Sequence, residues 1–133
     1  MTEYKLPEDL KYNKDYSWID IEDEKAKVGI IKPAADKVKQ FVFIDLPEEG
    51  EKIEKGDTYA SVEAVKWSGH LSSPFTGEVI EVKQDIFDEP TKLNEEPYKN
   101  WIMKIKIDKP EEKEELMNAE EAREWAEKDI KNR

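Results

Sequence analysis

The sequence predicts a mainly β fold with small helices (α+β), in the form of a flattened β-barrel or sandwich with C-terminal helices. Short runs rich in Val, Ile, Phe and Tyr recur through the middle of the chain, and several alternate between apolar and polar residues. Glycine and proline separate these runs. The end of the chain instead carries capping signals of helices, so we expect helices at the margin of a β core.

The first part of the chain predicts a polar arm, three strands and a short helix. Residues 1–15 are rich in Lys and Glu, which indicates a loosely packed arm. Pro33 marks the start of the helix, because proline is tolerated in a first helical turn. The strands are expected at residues 16–21, 26–30 and 41–46, and the helix at residues 34–39.

The central block predicts a β-hairpin with a lysine at its tip. The first strand, the tip, the returning strand, a turn and a further strand are expected at residues 58–65, 66–67, 69–73, 74–77 and 78–83. Gly56 and Gly77 flank Lys66 almost evenly, so we expect a nearly symmetric sheet unit. A lysine at the apex of such a unit is well placed for enzymatic acylation, in which case an attached prosthetic group performs the chemistry.

The last part of the chain predicts a loop, one strand and two helices. These elements are expected, in that order, at residues 88–97, 101–107, 111–117 and 119–128. Pro110 fits the first turn of the first helix. Asn118 and Glu121 fit a capping box at the start of the second helix, because each side chain can satisfy a free backbone N–H near the other.

We expect a single domain with three parts. A chain of 133 residues is long enough for one modest core. The parts are an N-terminal arm, a β domain and a C-terminal helical extension packed on that domain, at residues 1–15, 16–108 and 109–133.

Charge and residue usage exclude several classes of function. The net charge of −11 disfavours nucleic acids and anionic membranes as partners. The chain has no Cys and only one His, which excludes Cys-His, multi-His and zinc-thiolate sites, and we do not expect a Ser-His-Asp system around the single His. No pair of acidic residues stands out as an acid–base site, so we do not expect an enzyme. Without an apolar spanning segment or a signal peptide, a cytoplasmic protein is expected.

A pattern around Lys66 extends along most of the chain. In chain order its segments are Val-Phe-Ile-Asp-Leu-Pro (42–47), Gly56, Val-Glu-Ala-Val-Lys (62–66), Pro74, Thr-Gly-Glu-Val (76–79), Leu-Asn-Glu-Glu-Pro-Tyr (93–98) and Trp-Ile-Met-Lys-Ile (101–105). Over roughly residues 16–125, this order of segments resembles the H-protein family of the glycine cleavage system, whose members are lipoyl carriers.

The resemblance implies a lipoyl/biotinyl-type fold, a barrel-sandwich hybrid, with lipoate attached as N6-lipoyl-lysine at Lys66 by a lipoate ligase or lipoyl transferase. It implies a non-catalytic carrier whose arm takes an aminomethyl group from a PLP-dependent glycine decarboxylase. A folate-dependent aminomethyltransferase then receives that group, and dihydrolipoyl dehydrogenase reoxidises the arm. The dithiolane of lipoate supplies thiol–disulfide chemistry that a chain without Cys lacks.

Four further residues matter for this interpretation. Glu63 is a candidate for ligase recognition, or an exposed strand carboxylate. Trp67 is a candidate contact for the arm or a partner, or a cover for the hairpin. Ser17 and Lys37 stand where the family usually has a Glu and a His that help to hold the loaded arm with its aminomethyl cargo.

Several alternatives stay open at the level of sequence. The carrier could serve heterodisulfide-reductase-like sulfur oxidation enzymes instead, since the missing Glu and His are compatible with another cargo. Biotin carriage is disfavoured, because Val65-Lys66-Trp67 does not match the usual Ala-Met-Lys-Met. An unmodified interaction domain, or an enzyme with a carboxylate site, completes the set.

Overall fold

The structure is a computed structural model that describes residues 6–131, with side-chain surroundings for residues 6–128. The strands of this part are β1 (Lys11–Asn13), β2 (Ser17–Glu22), β3 (Lys25–Ile30), β4 (Phe41–Asp45), β5 (Lys52–Ile53), β6 (Thr58–Ala64), β7 (Trp67–Ser72), β8 (Gly77–Val82) and β9 (Met103–Ile107). The helices are α1 (Lys32–Val38), α2 (Gln84–Asp88), α3 (Lys92–Glu95), a 3-10 helix (Pro110–Glu115) and α4 (Ala119–Lys131).

The strands form two antiparallel sheets around one hydrophobic core. The larger sheet has the order β1-β2-β3-β9-β8-β5, and the smaller has the order β4-β6-β7. Ile19 and Ile105 from the larger sheet, and Phe41 and Leu71 from the smaller, are almost fully buried in this core. Burial of each such side chain contributes about 1.5–3 kcal/mol to folding. The predicted fold class, mainly β with small helices, is confirmed.

The N-terminal segment is packed, so the prediction of a loose arm is wrong for residues 6–15; residues 1–5 lie outside the described part. Leu6, Leu10 and Tyr12 are buried in the core. β1 pairs with β2, and the backbone groups of Tyr12 and Met117 bond to each other at 2.9 Å in both directions. This segment has few apolar residues among many polar ones, so its composition did not indicate β1, which the rest of the fold covers.

The residues predicted to begin the helices are confirmed, whereas the predicted helix lengths differ from those in the structure. Asn118 Oδ1 accepts a hydrogen bond from the Glu121 N–H at 2.8 Å, and Glu121 Oε1 accepts one from the Asn118 N–H at 3.0 Å. This is the predicted capping box, and α4 follows it to Lys131. Pro33 lies in the first turn of α1 as predicted. The helix predicted over 111–117 is instead the 3-10 helix.

Three further short elements were not predicted. α2 begins directly after the strand expected at residues 78–83. The loop expected at residues 88–97 contains α3, whose Leu93 is fully buried. β5 is only two residues long and pairs with β8. Elements of two to five residues cannot show a clear periodic pattern, so only tertiary contacts define them. No helix within residues 6–131 is long and apolar enough to cross a membrane.

Candidate functional site

Lys66 lies in the tight turn between β6 and β7. Ala64 pairs with Trp67 across the hairpin, which leaves Val65 and Lys66 as the two turn residues. Both side chains are exposed. The predicted tip is therefore wrong at one position, because Trp67 is the first residue of β7. Because the pairing extends to the last possible residue, the turn is shorter and more rigid than a free loop.

The turn is anchored to the end of α1 by its own backbone. The Val65 N–H donates to the Gln40 carbonyl oxygen at 2.9 Å, and the Lys66 N–H donates to the Val38 carbonyl oxygen at 3.0 Å. The backbone of the turn is thereby fixed on the side that faces α1. The side chain of Lys66 can move while its Cα stays in place.

A cavity of about 470 Å³ opens beside Lys66. Its apolar wall comes from three parts of the fold: Ile30 at the end of β3, Val38 in α1, and Phe41 and Leu71 in the smaller sheet. Such a wall suits a hydrocarbon chain, because apolar surface gains free energy when it leaves water. The cavity and the exposed lysine therefore form one site.

Polar side chains complete the cavity wall. Asp15, Lys37 and His70 all line it. The His70 Nδ1 lies 3.0 Å from the Ser61 hydroxyl oxygen on the neighbouring strand, so this ring is tied to the hairpin. Lys37 lies where the resemblance led us to expect a His, and it lines the cavity wall.

Asp15 is the carboxylate of this wall, and the sequence did not single it out. Its carboxylate accepts hydrogen bonds from the backbone N–H groups of Ser17 at 3.2 Å and Ser72 at 2.9 Å. Burial nevertheless raises the pKa of Asp15 above its ordinary value. Burial and the nearby Asp15 charge also raise the pKa of Tyr59, so the Tyr59 phenol stays neutral at physiological pH.

Ser17 itself is turned into the core. It is fully buried, and its hydroxyl has no hydrogen-bond partner of good geometry among the described residues. The cavity wall at this level is formed by Asp15 and Tyr16 instead. The position where the resemblance led us to expect a Glu therefore carries no acid, but an acid two residues earlier lies in the wall.

Trp67 is half-buried and packs against the core. Its ring lies across Gly69, where a Cβ atom would come within 2.3 Å of the ring, and the ring lines the cavity. The exposed aromatic side chains near the hairpin are instead Phe43 and Phe87, which meet edge to face at 6.1 Å. Phe43 lies opposite the exposed Glu63 across β4 and β6. The sequence does not indicate this pair, because the two residues are far apart in the chain and only tertiary packing brings them together.

The Asp15→Asn variant is expected to lose the part of the pH dependence of stability that comes from the Asp15 carboxyl group. Because the folded carboxyl has a raised pKa, the folded state binds the proton more tightly than the unfolded state. The wild type therefore loses stability as the pH rises from about 4, near the ordinary pKa of Asp, through the raised value. Urea unfolding at several pH values measures the free energy of unfolding of both proteins. The value for the variant should rise relative to that of the wild type as the pH rises. A difference that is independent of pH would contradict this account of Asp15.

Comparisons of sequence and structure relate the chain to one family. A profile described as Glycine cleavage H-protein matches residues 10–129. The glycine cleavage system H protein of Staphylococcus epidermidis is 38% identical over 117 residues, which cover 87% of this chain and 93% of that protein. The probable glycine cleavage system H protein of Pyrococcus furiosus is 43% identical over 119 residues, which cover 88% of this chain and 89% of that protein.

A solved structure gives the same relationship. The crystal structure of a glycine cleavage system H protein from Mycobacterium marinum matches with a TM-score of 0.80 at 29% sequence identity. The match covers 93% of this chain and 98% of that chain.

Proposed function

The chain belongs to the glycine cleavage H-protein family, and on that premise we propose that it is a lipoyl carrier protein of the glycine cleavage system, with lipoate attached to the Nζ atom of Lys66. The observation that carries this proposal is the exposed Lys66 in a two-residue turn, whose flanking segments follow the family pattern. The protein acts as a carrier subunit, and its partner enzymes perform the catalytic steps.

The surroundings of Lys66 fit a lipoyl group. The cavity of about 470 Å³ begins beside the lysine, and its apolar wall includes Val38, Phe41 and Leu71. This wall can shelter the hydrocarbon part of the arm from water, while the anchored turn fixes the point of attachment. When bound, lipoate supplies a dithiolane, whose sulfur atoms undergo thiol–disulfide exchange and carry the aminomethyl group from one partner to the next.

Asp15 supports an aminomethyl cargo. A carboxylate in the cavity wall can pair with the cationic amine at the end of the loaded arm, which the buried Ser17 cannot do. The backbone N–H groups of Ser17 and Ser72 hold this carboxylate in place. Charge-assisted contacts of this kind are stronger than those between neutral groups. This carboxylate supplies the charge that the replacement of Glu by Ser17 removes.

Glu63 and Trp67 have separate roles in this proposal. Glu63 is exposed on β6 three residues before Lys66, where an enzyme that encloses the turn can contact it. We assign it to recognition by the lipoate ligase or lipoyl transferase. Trp67 lines the cavity next to Lys66, so we assign it to contact with the arm rather than with a partner.

The partners follow from the same proposal. They are the PLP-dependent glycine decarboxylase, the folate-dependent aminomethyltransferase and dihydrolipoyl dehydrogenase. With a net charge of −11, the chain suits partners whose docking surfaces are basic. An arm tethered at Lys66 presents its end at a high effective concentration to each docked partner in turn.

The function is tested by exchange of the glycine carboxyl carbon with labelled bicarbonate, in the presence of the PLP-dependent decarboxylase. The lipoylated protein is expected to stimulate exchange at least about 100-fold over the same protein without its arm, because only the tethered arm reaches the partner's active site. Equal exchange with the two forms would contradict the proposal.

A further inference from the structure

The side-chain amide of Asn94 holds the segment between α1 and β4. Its Oδ1 accepts a hydrogen bond from the Phe41 N–H at 2.9 Å. Its Nδ2 donates to the Lys39 carbonyl oxygen at 2.7 Å and to the Ala35 carbonyl oxygen at 3.3 Å. Asn94 lies on α3, which the fully buried Leu93 ties to the core. One side chain thus joins α3 to the end of α1 and the start of β4.

The same segment also holds the turn that carries Lys66. The Lys66 N–H donates to the Val38 carbonyl oxygen, and the Val65 N–H donates to the Gln40 carbonyl oxygen. The last carbonyl groups of an α-helix lack partners within the helix, so they are free to accept such bonds. Asn94 and the hairpin bond to different carbonyl groups of one segment, and both sets of bonds are present in the structure.

The backbone at this point needs support. Lys39 has a φ of 69° and a ψ of −154°, a conformation that residues other than glycine rarely adopt. Such a conformation is strained and persists only where its surroundings impose it. Asn94 contacts the chain on both sides of this reversal, at the Lys39 carbonyl and at the Phe41 N–H.

We propose that Asn94 is a positioning residue for Lys66. It fixes the chain reversal at Lys39, and the reversal sets the places of the two carbonyl groups that hold the turn. The Lys66 side chain then leaves the hairpin in a defined direction beside the cavity. The link between Asn94 and the turn rests on hydrogen bonds alone, whereas its consequence for acylation rests on the proposed function.

The position requires an amide. The Phe41 N–H needs an acceptor and the two carbonyl groups need donors, and asparagine offers both on one planar group. Aspartate would direct a carboxylate oxygen at the two carbonyl oxygens. Alanine would remove all three bonds.

The test measures amide hydrogen exchange at Val65 and Lys66 in the full chain. Each rate is divided by the intrinsic rate of the same amide in an unfolded chain, and the core amide of Ile102, which donates to the Val28 carbonyl oxygen at 2.7 Å, reports global unfolding separately. This ratio is expected to rise about tenfold in Asn94→Ala and Asn94→Asp, because the carbonyl groups that accept from the turn lose their support.

The matched control is Asn118→Ala. This variant removes the cap of α4 and so lowers stability without touching the hairpin. Its exchange ratio is expected to equal that of the wild type. A ratio in the folded Asn94 variants that does not exceed the control would overturn the proposal. If Asn94→Ala does not fold, Asn94→Asp, which keeps the acceptor for the Phe41 N–H, decides the outcome.

A second readout separates this proposal from the proposed function. The initial rate of lipoylation by a lipoate ligase is expected to fall about tenfold in the Asn94 variants and to stay unchanged in Asn118→Ala. Faster exchange with an unchanged lipoylation rate would overturn the role of Asn94 in acylation. A wild type that accepts no lipoate would count against the proposed function, and the exchange ratio would still decide whether Asn94 positions the turn.

Discussion

The Lys66→Arg variant is expected to fold as the wild type does and to lose carrier activity completely. Attachment of lipoate forms an amide bond with the lysine Nζ atom, which requires an amine that can lose its proton. The arginine guanidinium keeps its charge at all physiological pH values, so it cannot form that bond. Intact mass after co-expression with a lipoate ligase should show no lipoyl increment, and glycine–bicarbonate exchange should fall to the level without carrier.

The fold of this variant should be preserved for a local reason. Lys66 is exposed, and the bond from its backbone N–H to the Val38 carbonyl oxygen does not depend on the side chain. Its free energy of unfolding should stay within about 0.5 kcal/mol of the wild type, as for most surface substitutions. Lys39→Arg, at a neighbouring exposed lysine, is the matched control and should keep both the arm and the activity. Loss of the arm in the control, or its retention in Lys66→Arg, would contradict the assignment.

Gly77→Ala is expected to destabilise the fold by at least about 3 kcal/mol. A Cβ atom at Gly77 would lie 1.8 Å from the carbonyl oxygen of Lys106 and 2.9 Å from its carbonyl carbon. Gly77 pairs with Ile107 across β8 and β9, so the obstructing atoms belong to a paired strand that cannot turn aside as a flexible side chain does. Overpacking that displaces backbone costs about 1–3 kcal/mol and at times more. Urea unfolding of the variant and the wild type measures the loss.

Gly50→Ala is the control for this prediction. Gly50 has a φ of 91°, and a Cβ atom there would meet nothing within 4 Å. Its replacement should therefore cost only the strain of a left-handed conformation, about 1–2 kcal/mol. Equal losses of unfolding free energy in Gly77→Ala and Gly50→Ala would contradict this prediction. They would show that the close approach of β8 to β9 does not restrict position 77 to glycine.

Much of the fold was predictable because local patterns agree with the tertiary structure. The hairpin of β6 and β7 follows from alternating residues between turn formers, and the capping box at Asn118 follows from two side chains in one helical turn. Tertiary contacts define the elements that were missed. β1 exists because Tyr12 meets Met117 from the far end of the chain, and α3 exists because Leu93 fills the core.

The candidate site was predictable only in part, because the sequence singled out Lys66, Trp67 and Lys37 but not the rest of the cavity wall. Lys66 has a local pattern around it, so the sequence identified it directly. The cavity draws its wall from β3, α1 and the smaller sheet, so no single stretch of sequence describes it. For the same reason the sequence pointed to Ser17, whose side chain is buried, and missed Asp15, which lines the cavity. Asn94 was part of a matched segment, but only the structure connects it to the turn.

The most direct test of the central claim is peptide mapping by mass spectrometry of the wild-type protein after co-expression with a lipoate ligase. One lipoyl group per chain is expected, on the peptide that contains Lys66. A chain without the lipoyl increment, or with the group on a different lysine, would contradict the claim.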